Sequence, residues 1–191
     1  MNVTTRPIQI FAVLALALAA TRVHHFAAVP DASWAVFFLG GVYLRAQARW
    51  AFPVLMGLAI AVDAAVIAGQ GLSFWTHYCV SPAYWCLLGA YFVLWTGGAW
   101  AARRPLRLEL ATGGRVALAV IASAAVCQLI AQGSFYWISS SVTEPSLAGW
   151  WKNYTDWLLP YMRAAALYVG AAAMLHVLLT RLLPTPAPAR A

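Results

Sequence analysis

The sequence predicts an all-α membrane protein, a bundle of six transmembrane helices with both termini in the cytoplasm. Three observations predict it. Of the 191 residues, 63% are hydrophobic and only 9% charged, whereas a soluble domain carries about 25% charged residues. The apolar residues fall into successive runs, several near the ~20 residues that cross a hydrocarbon core. The basic residues alternate in density from one gap to the next, as membrane topology requires.

The first run, about 7–21, follows Arg6 and ends near Ala17-Leu18-Ala19, a pattern it shares with signal peptides. Retained, it is the first span. The second, about 32–44, is short and carries Gly40-Gly41 near its end. The third, about 50–69, carries Asp63, and the fourth, about 82–102, opens on Pro82, which suits a first helical turn because no N–H is needed there. The fifth covers about 116–138. The sixth, about 157–181, carries Arg163 and His176. One transmembrane domain thus occupies 1–183, and the Pro- and Ala-rich stretch 184–191 reads as a disordered tail.

Charge orients the bundle. Arg6, Arg45, Arg49, Arg103, Arg104, Arg107, Arg115, Arg181 and Arg190 fall on one side, Arg22 and Lys152 on the other, and Arg163 within a helix. The positive-inside rule places the first group in the cytoplasm. The net charge of +7 therefore reflects topology; no basic patch interleaved with aromatics points to nucleic acid. No Walker-type glycine loop is present, so any ATP-driven step must come from another chain.

The outer segments, about 22–31, 70–81 and 139–156, then collect His24, His25, Asp31, His77, Cys79, Glu144 and Asp156. Cys86 and Cys127 lie inside apolar runs and read as small buried hydrophobes. Cys79 lies in a loop just ahead of Pro82, where a helix N-terminus is expected to lower a thiol pKa. A thiolate is a soft ligand for transition metals and a good nucleophile. An incidental loop cysteine is the competing reading, and no C-x-x-C or standard zinc spacing accompanies it.

Asp63 also demands a partner, since a carboxylate at the centre of a span costs at least ~2.5–3.5 kcal/mol. It lies roughly 7–8 Å below the outer end of its helix and Arg163 roughly 9 Å below its own, at 1.5 Å per residue. The matching depths predict an Asp63–Arg163 ion pair or a shared polar cavity wall. Trp75, Trp85, Trp137, Trp150, Trp151 and Trp157 cluster at the outer boundary. They read as an aromatic belt, which would also suit a large flat ligand. On residues alone, an outward-facing binding or transport protein, an outward-facing thiol enzyme and a structural membrane protein stay open.

Arg22-Val23-His24-His25-Phe26, the run Pro30 to Gly41, Asp63, and His77-Tyr78-Cys79 through Tyr84 resemble the BtuM family. These are small bacterial membrane proteins regarded as cobalamin transporters and similar to the S-components of energy-coupling factor (ECF) transporters. The resemblance implies an inner-membrane bundle that binds cobalamin in a cavity open to the periplasm, with Cys79 as the cobalt ligand; a strongly donating thiolate is then expected to weaken the ligand opposite and promote loss of an upper cyano group. His24, His25, Asp63, Trp75, His77, Tyr78, Tyr84 and Arg163 are the candidate cargo-binding residues alongside Cys79. S-components that share an energy-coupling module present Ala-x-x-x-Ala on the first helix. Ala15 and Ala19 satisfy that only generically, which leaves the partner open.

Overall fold

A computed structural model describes residues 5–23 and 30–182. Six α-helices follow in order: α1 (Thr5–Arg22), α2 (Ser33–Tyr43), α3 (Ala48–Gly69), α4 (Leu87–Ala101), α5 (Leu110–Ile138) and α6 (Leu147–Leu182). No strand occurs among the described residues. The tail 184–191 lies outside them.

Among the described residues, three stretches are long and apolar enough to cross a membrane: Arg45–Gly69, Leu110–Ile138 and Leu147–Leu182. α2 is a different kind of element. Its 11 residues rise about 16 Å, roughly half a hydrocarbon core, and Ser33 to Phe38, Gly40 and Gly41 are all buried. A helix apolar on every side belongs in a protein interior. α2 fills that place, packing against α1, α3, α4 and α6.

Glycine makes the α2–α4 crossing possible. A Cβ on Gly41 would collide with the carbonyl of Trp95, and one on Gly98 with the carbonyl of Phe38. The two backbones touch where side chains would hold them apart, a small-residue contact that serves helices in lipid. Around it, Phe37 stacks on Tyr91 (4.6 Å between ring centroids) and Trp34 on Tyr161 (5.1 Å). The second contact ties α2 to α6.

Three helix starts differ from the sequence expectation. α6 begins at Leu147, ten residues before the expected 157, and runs through Pro160 without ending. A proline removes one backbone hydrogen bond, which membrane helices tolerate when neighbours re-satisfy the freed group. α5 starts at Leu110, so Gly113 and Gly114 lie inside its first turns. The expected first turn of the fourth helix is instead a 3-10 segment, Pro82–Cys86, with Pro at its start.

Polar contacts sort the chain into two poles. At one, Arg45 donates to the carbonyl of Ala102 (2.6 Å) and Arg115 to those of Ala101, Arg104 and Pro105, gathering the arginine-rich segments. At the other, the end of α1 meets the start of α2, the last turns of α3 and the segment leading into α4.

Candidate functional site

Arg22 is the centre of the second pole. It closes α1 and is only 5% exposed. Its Nε and Nη2 donate to the two carboxylate oxygens of Asp63, each at 2.7 Å. The fork-on-fork geometry is the strongest form of a charge-assisted pair. Nη1 reaches Ser33 Oγ (2.9 Å), Tyr91 OH (3.2 Å) and Asp31 Oδ2 (3.4 Å). Asp31 in turn accepts from the first residue of α2, at Ser33 N (2.8 Å) and Ser33 Oγ (2.6 Å). Tyr84 completes the set by donating to Asp63 Oδ2 at 2.7 Å.

The expected Asp63–Arg163 pair is therefore corrected. Asp63 is held by Arg22, whose guanidinium reaches it from the end of α1. Arg163, which α6 carries on the far side of α2, lines a separate cavity. Equal depth in two helices says nothing about which faces meet. One signal was readable: Arg22 breaks the positive-inside pattern, and a misplaced arginine flanked by Asp31 calls for a local carboxylate.

Above this network lies a cavity of about 280 Å³, walled by Arg22, Asp63, Tyr84, His77, Tyr78 and Cys79, with Val66, Ile67, Leu87 and Phe135 as its apolar side. Five sequence-predicted residues thus meet in one place: Asp63, His77, Tyr78, Cys79 and Tyr84. Trp75 does not join them; it is 74% exposed, and its ring packs edge-on against Phe74. His24 and His25 lie outside the described residues. The sequence reading missed Gln70 and Val80 on the cavity wall, which carry no chemistry that spacing could flag.

The loop that brings Cys79 here is held locally. His77 Nδ1 accepts the Cys79 N–H (3.3 Å), and the His77 ring lies against Tyr78 (4.6 Å). Burial pushes the Cys79 thiol above its ordinary range, a hydrogen bond with Tyr78 partly offsets this, and the negative charge of Asp63 adds to the rise. The expected helix-end activation is thus outweighed. With Pro82–Cys86 a 3-10 turn, the aligned peptide dipoles of a full α-helix N-terminus are lacking.

Among the described residues no three His, Cys, Asp or Glu side chains converge on a possible metal position. A metal reaching Cys79 must bring most of its own ligands. The cavity lies just below the ~300–1,000 Å³ usual for small-molecule pockets. No protein-family model matches the chain, and no curated protein matches it.

Proposed function

We propose that this chain is a multi-pass bacterial inner-membrane protein that captures cobalamin from the periplasm for uptake, with the Cys79 thiolate as cobalt ligand. Six crossings with both termini cytoplasmic put the arginine-rich pole inside and the Cys79 cavity outside. The observation that carries the reading is the cavity itself. It offers one soft donor, Cys79, without a cage, beside the rigid Asp63–Tyr84–Arg22 set. The motif resemblance to BtuM proteins points the same way.

The raised thiol fits a latent ligand. At rest Cys79 is protonated and poorly nucleophilic, which disfavours the rival reading of an outward-facing thiol enzyme. Coordination to a metal removes the proton outright. The vitamin's own lower base would detach from cobalt and could take up the thiol proton, and the sulfur would donate an electron pair to the position so vacated. In cyanocobalamin the Co–C bond opposite weakens, and cyanide leaves with its own pair, so cobalt keeps its oxidation state. Tyr78 loses its protonated neighbour but keeps its hydroxyl donor to the sulfur.

Two measurements test this. Purified protein mixed with cyanocobalamin should show a shifted absorbance spectrum that Cys79→Ala abolishes. A cobalamin-dependent strain without its own importer should grow on nanomolar vitamin only when this protein is expressed. Absence of rescue by well-expressed protein sinks the uptake reading. An ECF-type energy-coupling module is tested in the same strain by deleting the module's membrane component.

A further inference from the structure

The arginine-rich pole holds the second concentration of charge in the molecule. Arg45, where the apolar stretch Arg45–Gly69 begins, donates to the carbonyl of Ala102 (2.6 Å). Arg115, near the start of α5, donates to the carbonyl just before it, that of Ala101 (2.9 Å), and to those of Arg104 (3.3 Å) and Pro105 (3.2 Å). Both guanidiniums thereby cap the C-terminus of α4, whose carbonyls carry partial negative charge. They also hold the segment after α4 in a fixed turn on which Arg103 and Arg104 are exposed.

Capping leaves this charge unbalanced. The chain has five acids, Asp31, Asp63, Glu109, Glu144 and Asp156, and of these only Glu109 belongs to the segment between α4 and α5. It is 57% exposed and lies beside Arg107 (3.9 Å). Among the described residues the guanidiniums of Arg49, Arg103 and Arg104 make no ion pair or hydrogen bond. Two guanidiniums therefore meet on consecutive carbonyls, with two more on the turn they hold. Like charges gathered in this way repel, and an anion among them turns the cost into attraction.

Position decides which anion fits. Apolar stretches begin at Arg45 and Leu110, so the turn lies where hydrocarbon gives way to headgroups. Trp50 and Trp100, 41% and 42% exposed, stand at the adjoining helix ends, as interfacial tryptophans do. Leu108 and Leu110, 58% and 95% exposed, follow the arginines and offer acyl chains an apolar surface. Basic pockets between the cytoplasmic ends of membrane helices take anionic phospholipid headgroups, and a guanidinium fork matches phosphate oxygens.

We infer that the α4–α5 turn, with the start of α3, is a binding site for a diphosphatidyl lipid of the cardiolipin class. Its two linked phosphates suit two pairs of guanidiniums, Arg45 with Arg115 and Arg103 with Arg104, whereas a lipid with one phosphate satisfies a single pair. The site goes beyond the uptake reading and does not depend on it, since it needs a membrane and no cargo.

Native mass spectrometry of the full chain in detergent, titrated with cardiolipin or with phosphatidylglycerol at equal phosphate, reads the affinity. Wild type should hold cardiolipin about tenfold or more the tighter, because the second phosphate binds intramolecularly. Arg103→Gln/Arg104→Gln should weaken cardiolipin roughly ten- to thirtyfold, as two surface charges require. Arg163→Gln/Arg181→Gln, which removes the same charge from exposed positions on α6, should change it by less than about threefold. Cardiolipin at about 100 times its Kd should raise the melting temperature of wild type by roughly 5–10 °C. In lipid-free detergent the Arg103→Gln/Arg104→Gln protein should melt with wild type, because neither side chain makes an intramolecular bond. If it melts lower, Arg49→Gln replaces it, with about fivefold weaker cardiolipin binding expected for one charge. Equal weakening by the two double variants reduces the site to diffuse attraction and overturns it, as does equal affinity for the two lipids. So does millimolar inorganic phosphate that raises the melting temperature as far as cardiolipin, which identifies a site for free anions and not for lipid.

Discussion

Replacing Arg22 by Met removes a cation that faces both Asp63 and Asp31. The side chain volume is nearly kept, so the loss is electrostatic. Arg22 and Asp63 are 5% and 20% exposed, so screening by water is slight. Breaking a buried pair by removing one partner costs about 3–5 kcal/mol. Replacing Asp63 by Asn should cost less, about 1–3 kcal/mol: the amide still accepts one hydrogen bond from Arg22, and Asp31 still neutralises the guanidinium. The double variant Arg22→Met/Asp63→Asn should then be more stable than Arg22→Met alone, because no orphan carboxylate is left at position 63. Thermal unfolding in detergent, followed by tryptophan fluorescence, measures the order. At about 2–4 °C per kcal/mol for a chain of this size, Arg22→Met should fall by roughly 6–20 °C. If Asp63→Asn is as damaging as Arg22→Met, or if the double variant equals the sum of the singles, then Arg22 is not the hub described here.

Gly98→Ala should destabilise the bundle by about 1–3 kcal/mol, because its Cβ meets the Phe38 backbone and overpacking forces α2 and α4 apart. Gly89→Ala on the same helix meets nothing and should be neutral or slightly stabilising, and equal melting temperatures for the two would refute the crossing. Alkylation of Cys79 in a variant lacking Cys86 and Cys127 should need a pH above the ~8.5 of a free thiol, since burial favours the protonated form. Tyr78→Phe, which deletes the offsetting hydrogen bond, should move that midpoint higher still; a midpoint at or below the free value would contradict the burial argument.

Much of this architecture is legible in the residues because apolar length is a one-dimensional quantity. The helix count and the positions of α1 and α3 follow from spans and loops, whereas Asp63 joins His77, Cys79 and Tyr84 only through the motif resemblance. Partner choice across the bundle is not one-dimensional. Asp63 and Arg163 sit at equal depth, yet the rotation of each helix about its axis sends Asp63 to Arg22 and Arg163 into another chamber. Helix starts fail for a related reason. Pro160 looks like a boundary in a list of residues, but inside α6 it costs one hydrogen bond among many. For Cys79, an approaching helix can be inferred from Pro82, whereas the burial that raises the thiol depends on tertiary packing that no local spacing shows.

The shortness of α2 has a consequence for how the protein is made. A segment of 11 residues is too brief to rest across a bilayer by itself, and it carries Asp31 and Ser33 at one end. It therefore has no stable station in lipid when it first leaves the ribosome. Its contacts with α4 require that the chain be synthesised at least to Ala101, so insertion must wait for partners that emerge some sixty residues later. During that interval the Arg22–Asp31 contact compensates charge within the α1–α2 pair, until α3 delivers Asp63. The ion network beneath the cavity is then an assembly latch, and Arg22→Met should accumulate in membranes to a lower level than wild type, with the surviving fraction folded.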